Sequence, residues 1–189
     1  MKTIIKSISV CFLLLLIAVP SFSQTTAKTA EKKTIKKHKI EKSKVPTVVT
    51  ESFIREYPLS PEESWYGYPA FTTPYDWYVY DPYLYTEEYP EYYIVEFNKE
   101  SVPHKVIYSK VGKKIATHRK SNAVLPIAVS SAISKGEYKA WRLTKEREEI
   151  FRDGDADDLK VYKVEVEKGK EKHFLFYQAD GKLLKDKKV

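Results

Sequence analysis

Apolar residues recur three to four positions apart in two segments, residues 45–57 and 125–138. The positions that share one helical face are Val45, Val48, Val49 and Phe53 in the first segment and Leu125, Ala128, Val129, Ala132 and Ile133 in the second. Both segments open with an apolar residue followed by Pro, which suits a first helical turn because its missing N–H would be unpaired there. The pattern predicts one helix of about three turns in each segment, with a single buried stripe.

A two-residue alternation follows each predicted helix. Tyr162, Val164 and Val166 alternate with polar residues, as in a strand that buries one face. The other predicted strands are residues 93–97, 105–108, 112–115, 138–143, 173–177 and 181–184. Gly169 and Gly181 occupy hairpin-turn positions that require a positive φ. The order predicts an α+β fold, a tandem repeat of a helix followed by an antiparallel sheet of about four strands.

A segment between the first helix and its central strand breaks this pattern. Residues 56–98 contain no Lys or Arg but hold nine acidic residues and fifteen aromatic ones, with six prolines. That much proline excludes a long helix or a central strand over most of the segment. We expect an extended, turn-rich insertion that crosses the sheet, with short strands near residues 77–80 and 92–97.

The aromatic rings allow two interpretations. Tyr and Trp are enriched at binding interfaces, because they offer a large contact area at a small rotamer cost. Alternatively, the rings form a second apolar layer over an otherwise exposed sheet face. The binding interpretation predicts a partner site, and its residues are Trp65, Tyr66, Trp77, Tyr78, Tyr80, Tyr83 and Tyr85. The acidic residues among the rings favour a basic partner and disfavour nucleic acid.

Residues 1–23 have the features of a cleavable signal peptide. Lys2 and Lys6 precede an apolar run over residues 8–19, and small residues follow at Ser21 and Ser23. The run is shorter than the roughly 20 residues that a membrane anchor needs. Cleavage before Gln24 would remove the single cysteine and leave a periplasmic or secreted protein without disulfides.

The basic character of the chain is concentrated in a tail at residues 24–44. The tail holds eight Lys and two Glu, whereas residues 45–189 hold 23 basic and 24 acidic residues. A segment with so few large apolar residues is predicted to be a disordered linker. Its lysines could also make weak electrostatic contacts with anionic components of the cell envelope.

Neither a catalytic nor a cofactor motif stands out. The sequence lacks a nucleophile elbow, a zinc-protease helix motif and a phosphate-binding glycine loop. The four histidines are scattered, and the acidic residues 153–158 lack the spacing of an EF-hand loop. The sequence therefore predicts a protein that is not an enzyme and has no metal or cofactor.

The helix starts at Val45-Pro46 and Leu125-Pro126, the Tyr93–Phe97 strand and the hairpin at Asp180-Gly181-Lys182 resemble the PepSY-like periplasmic proteins of Bacteroidetes. That family is similar in fold to the β-lactamase inhibitor protein, abbreviated BLIP. The resemblance implies a BLIP-like fold, a periplasmic location and no enzymatic activity. The predicted divisions are a signal peptide at 1–23, a linker at 24–44, and two repeats at 45–120 and 121–189.

The leading hypothesis is a non-enzymatic, inhibitor-like binding module that holds a protein or peptide through a sheet face and the aromatic insertion. One alternative is an envelope protein whose rings stack on carbohydrate or peptidoglycan. The other is a structural protein in which the aromatic residues belong to the core.

Overall fold

The computed structural model describes residues 39–60, 62–71, 75–81, 84–153 and 159–189. The predicted signal peptide, most of the basic tail and all but the first residue of the acidic loop at 153–158 lie outside the described residues. The described α-helices are α1 (Thr47–Glu56) and α2 (Ile127–Lys135). The strands are β1 (Ser64–Tyr68), β2 (Tyr92–Lys99), β3 (Val102–Ser109), β4 (Lys114–Lys120), β5 (Arg142–Arg152), β6 (Lys160–Lys168), β7 (Glu171–Gln178) and β8 (Leu183–Lys188).

All eight strands form one open antiparallel sheet, in which each strand pairs with the next along the chain. The predicted tandem repeat of a helix with its own four-stranded sheet is therefore wrong. Strands β4 and β5 pair from Ala116 opposite Arg152 to Lys120 opposite Glu148, which joins the two halves into a single sheet. This pairing satisfies backbone groups that two separate sheets would each leave exposed at an edge.

Both predicted helices are present, and each begins directly after its proline. Helix α1 buries Val49 and Phe53 against β1, β2 and β3. Val48 is 45% exposed, so its predicted place in the buried stripe is wrong. Helix α2 buries Val129 and Ile133 against β6 and β7. The strand register places both helices on the same face of the sheet, which we call the helix face.

Several strands differ from the prediction. Strand β1 was not expected, and residues 77–80 form turns and irregular structure instead of a short strand. The strand predicted at residues 138–143 begins only at Arg142, because Tyr138 lies in a turn after α2. The turn glycines are confirmed: φ is +60° at Gly169 and +87° at Gly181.

The described end of the predicted linker contacts the sheet. Ile40 is buried, and its N–H donates to the carbonyl oxygen of Trp65 at 2.8 Å. Lys42, in the short 3-10 helix Lys42–Lys44, forms an ion pair with Glu63. Ile40 therefore joins the hydrophobic core around α1 from a position next to the edge strand β1.

We predict that the continuous sheet unfolds as one unit. Phe53→Ala and Ile133→Ala truncate side chains under different helices, and each should lower the free energy of unfolding by roughly 2–5 kcal/mol in urea denaturation. Because the two sites share one sheet, both variants should shift a single cooperative transition.

Ile54→Ala is the matched control, because Ile54 is adjacent to Phe53 but is largely exposed. It should change the free energy of unfolding by no more than about 0.5 kcal/mol. Two separate transitions, each sensitive to only one of the core variants, would contradict the single-sheet architecture.

Candidate functional site

Charged and polar side chains occupy the middle of the sheet face that lies away from the helices. Lys105 on β3 is directly opposite His118 on β4, and Glu148 on β5 is directly opposite Lys163 on β6. Directly opposite residues of an antiparallel pair point to the same side of a sheet. Because β4 and β5 are neighbours, these four residues from four adjacent strands converge on one place. We call them the charged cluster.

The carboxylate of Glu148 is the centre of the charged cluster. Its Oε1 lies 3.0 Å from Nζ of Lys163 and 3.6 Å from Nζ of Lys105. Its Oε2 lies 3.3 Å from Nδ1 of His118. One carboxylate therefore serves two ammonium groups and one imidazole.

Burial and the neighbouring groups together shift the pKa values of His118, Glu148 and Lys163. The ring of His118 is 2% exposed, and desolvation lowers its pKa against the opposing hydrogen bond to Glu148. Burial raises the pKa of Glu148, but the hydrogen bond from His118 and the ammonium groups of Lys163 and Lys105 outweigh it and hold that pKa well below its usual range. Burial also lowers the pKa of Lys163 against the attraction of Glu148.

These shifts predict the tautomer of His118. A neutral imidazole that faces a carboxylate with Nδ1 carries its proton there and donates it to Glu148. Nε2 then holds only a lone pair. It is buried and has no hydrogen-bond partner among the residues that the structure describes.

The described residues between β1 and β2, which are 69–71, 75–81 and 84–91, lie over the same sheet face, and we call them the covering segment. In this segment, the ring of Tyr80 packs edge-on against His118 at 5.0 Å, and that of Tyr78 packs on Phe176 at 5.4 Å. Tyr85 stacks on Tyr66 of β1 at 4.8 Å. The segment is thus an aromatic layer placed on an eight-stranded sheet.

Ion pairs attach the covering segment to the far edge of the sheet. Asp76 lies 2.7 Å from Nζ of Lys185, and Asp81 lies 2.8 Å from Nζ of Lys187, both on β8. At the other end, Gly67 allows close approach, because a Cβ at that position would collide with the carbonyl oxygen of Thr86. The segment is therefore held at both edges of the sheet.

A pocket of about 500 Å³ remains between the covering segment and strands β3 to β8. Its volume lies within the range of about 300–1,000 Å³ found for ligand sites. Aromatic rings form its walls and the charged cluster forms part of its lining. The lining residues are Tyr78, Tyr80, Asp81, Lys105, His118, Glu148, Lys163, Phe174, Phe176, Lys187, Lys188 and Val189.

The structure separates the residues that the sequence predicts for a partner site. Trp65 is buried on the helix face, on the other side of the sheet from Tyr66, because successive strand residues point to opposite faces. Tyr66 on β1 and Trp77 of the covering segment are also buried, in the core between the sheet and that segment. Three further predicted residues, Tyr78, Tyr80 and Tyr85, are half-buried, and Tyr83 lies outside the described residues.

Only Tyr78 and Tyr80 of that set line the pocket. The charged cluster was missed, since its members are 13 to 58 positions apart in the sequence and match no motif. One signal was available: Lys163 is a polar position in the alternation of β6 that faces away from the helices.

Three of the acidic residues around the aromatic rings have lysine partners within the chain. Asp76 and Asp81 pair with lysines of β8, and Glu91 pairs with Lys110 at 2.8 Å. These three carboxylates are neutralised within the chain. The predicted basic partner stays a prediction. In the described part of the chain, His, Cys, Asp and Glu nowhere group into a cluster that could hold a metal ion.

The sheet and its two helices define a BLIP-like fold. A similar structure is that of a BLIP-like protein from Bacteroides fragilis, which is 19% identical, has a TM-score of 0.52, and aligns over 76% of this chain and 86% of that one. A protein of the DUF2874 family from Bacteroides ovatus is also 19% identical, with a TM-score of 0.56 and coverage of 76% and 87%. At these identities the likeness concerns the fold.

A third similar structure is that of a Bacteroides eggerthii protein described provisionally as periplasmic. It is 13% identical, has a TM-score of 0.57, and aligns over 77% of this chain and 89% of that one. No protein-family model matches the sequence, so the predicted PepSY-like relationship is not shown, and no curated protein matches it significantly. Within the described residues, neither helix has the length and apolar character needed to cross a membrane.

We predict that His118 makes the free energy of unfolding depend on pH below about 6.5. Its pKa is lower in the folded chain than in the unfolded chain, where it is about 6.5. As the pH falls below that value the unfolded chain binds a proton that the folded chain does not. Stability should therefore fall with decreasing pH, by up to about 1.4 kcal/mol per unit for this one group.

Urea denaturation of wild type and His118→Gln at a series of pH values tests this. In His118→Gln, the free energy of unfolding should fall less steeply with decreasing pH than in wild type. The control His104→Gln changes a histidine on the helix face and should keep the wild-type slope. Equal slopes for wild type and His118→Gln would show that His118 does not remain neutral in the folded protein.

Proposed function

We propose that this chain is a non-enzymatic binding protein of the periplasm, which receives a projecting group of a protein or peptide partner in the pocket. The observation that carries the proposal is the pocket itself. It combines aromatic walls with a few convergent polar groups, which is the usual composition of a ligand site.

A projecting group suits this geometry better than a broad docking surface. The covering segment already occupies part of the sheet face, and Trp77 is buried beneath Arg152, whose guanidinium lies 5.6 Å from the ring centre. The rings of Tyr85 and Tyr66 stack on each other, so this contact already occupies both rings. A partner that inserts one group between Tyr78 and Phe174 would reach the charged cluster without displacing this layer.

The chemistry of the cluster supports binding more than catalysis. The Nδ1 proton of His118 is directed at Glu148, and both lysines share that same carboxylate. None of these groups lies beside a nucleophilic hydroxyl or thiol that it could activate, as far as the described contacts go. The periplasmic location is supported by the features of residues 1–23 and by the similar fold of the B. eggerthii protein.

Site-specific photocrosslinking in the native cell envelope tests the proposal. Tyr78 is replaced by p-benzoylphenylalanine, which places a photoreactive ring at the pocket wall. The matched control carries the same group at Tyr75, three residues away in the covering segment, which is 79% exposed and does not line the pocket. We predict a discrete protein or peptide adduct at position 78 that position 75 does not give.

The adduct must also depend on the pocket. Phe174→Ser removes one wall ring, so it should weaken capture at position 78 at least roughly tenfold, the effect of losing about 1.4 kcal/mol of a central aromatic contact. Equal labelling at positions 75 and 78 would contradict the proposal. An adduct at position 78 that only lysozyme or another glycosidase degrades would instead support the carbohydrate alternative and overturn the protein partner.

A further inference from the structure

The charged cluster holds one more positive charge than its contacts balance. Lys105 and Lys163 both make their ion pair with Glu148, at 3.6 and 3.0 Å. His118 is neutral and adds no charge. The cluster thus contains two ammonium groups and one carboxylate at the lining of a pocket.

Neighbouring carboxylates are engaged by other groups. Asp81 pairs with Lys187, Glu165 pairs with Lys172 at 3.1 Å, and Glu146 pairs with Lys120 at 3.1 Å. Glu96, which is opposite Lys105 on β2, accepts a hydrogen bond from the hydroxyl of Tyr66 and does not line the pocket. Glu148 is therefore the carboxylate of the pocket lining that both cluster lysines share.

Burial makes this imbalance costly. The side chains of Lys105 and Lys163 are 24% and 16% exposed, so water screens them only in part. Each ammonium also lies over a ring, Lys105 at 4.9 Å from the centre of Tyr80 and Lys163 at 4.2 Å from that of Phe174. A cation over an aromatic face is stabilised, but its charge is not neutralised. An anion placed beside both lysines would neutralise it.

A second observation indicates a ligand at the same place. Nε2 of His118 is a buried acceptor without a partner in the described structure, and His118 lines the pocket. A buried polar atom without a partner is costly. A ligand that carries an N–H or O–H donor next to its anionic group would satisfy this acceptor as well.

The number of charges selects the class of anion. A carboxylate carries one negative charge and balances the single excess positive charge of the cluster. A phosphate monoester carries almost two at neutral pH and would leave a buried negative charge uncompensated. The walls formed by Tyr78, Phe174 and Phe176 favour an aromatic or large apolar group attached to that carboxylate.

We infer that the pocket binds a peptide carboxylate carried next to an aromatic or large apolar side chain, with Lys105 and Lys163 as its charge partners. This inference rests on the proposed function and specifies which group of the partner enters. The C-terminal residue of a peptide has this chemistry, since an amide N–H adjoins its carboxylate and can face Nε2 of His118.

NMR titration of the purified, signal-free protein with small probes tests the inference. N-acetylphenylalanine represents a peptide C-terminus, and its primary amide has the same shape without the charge. Phenylacetate represents a free acid without the amide donor, and phenyl phosphate represents the dianion. We expect N-acetylphenylalanine to shift signals of residues that line the pocket and to bind more tightly than the other three probes, at least about tenfold more tightly than its amide.

Three variants separate a binding role of the cluster from a structural one. Lys163→Met should weaken binding of N-acetylphenylalanine about tenfold or more, the loss of one charge-assisted contact. Glu148→Gln should strengthen it, because Glu148 competes with the ligand for both lysines. Lys110→Met, an exposed lysine outside the pocket, should leave binding unchanged.

A purely structural ion-pair network would not give tighter binding on loss of Glu148. Equal binding of the acid and its amide would overturn the inference, as would phenyl phosphate binding more tightly than the acid. If position 78 captures a partner but no carboxylate probe binds, the inference fails and the proposed function stands. If N-acetylphenylalanine binds as expected but position 78 captures nothing, the carboxylate preference stands and the protein-binding function fails.

Discussion

The carboxylate of Glu148 is the constraint on which the described site depends, because it is shared by groups from three other strands. Lys105 and His118 come from β3 and β4, whereas Lys163 comes from β6. Removing one member of a buried ion pair typically costs about 3–5 kcal/mol, since the other charge is left uncompensated. Strands β4 and β5 therefore cannot separate at this point without a large electrostatic penalty. The same contacts that join the two halves of the sheet thus create a charged site at their junction.

The covering segment explains why this junction is a pocket rather than an open surface. The first four strands present apolar residues such as Ile94 and Ile107 on the face away from the helices, and these need a second layer. The aromatic residues of the covering segment supply it, and the ion pairs to β8 hold this layer across the sheet. Where this layer passes over the charged cluster, the sheet face below it carries polar side chains instead of apolar ones. The pocket is the space left between the layer and these polar side chains. One unusual segment therefore serves both as core and as wall of the proposed binding site.

The parts of this fold that could be predicted are those encoded locally. A few adjacent residues determine the helical periodicity after Pro46 and Pro126. The same is true of turn glycines such as Gly181. The pairing of β4 with β5 joins residues that are far apart in the sequence, and no local pattern encodes it. The sequence pattern alone therefore predicts two separate sheets. Trp65 and Tyr66 illustrate a further limit. The aromatic composition around them indicates a binding or core segment. Only the formation of strand β1, which the sequence does not predict, determines that the two side chains point to opposite faces of the sheet.

The sequence does not predict the site because the site, too, depends on long-range strand pairing. Its aromatic wall could be predicted as a region of interest, yet Lys105, His118, Glu148 and Lys163 are ordinary polar positions on four strands. Their significance comes from register, which brings an imidazole and two ammonium groups to one carboxylate. The ion pairs of Asp76 and Asp81 could not be predicted either, because their lysine partners lie on β8, more than one hundred positions later.

The protonation state of His118 tests the described cluster most directly, and nitrogen-15 NMR of the labelled imidazole measures it. We expect a neutral ring at pH 7 with the proton on Nδ1 and an unprotonated Nε2. A ring protonated on both nitrogens at that pH, or a neutral ring with its proton on Nε2, would contradict the arrangement of charge on which the proposed pocket depends.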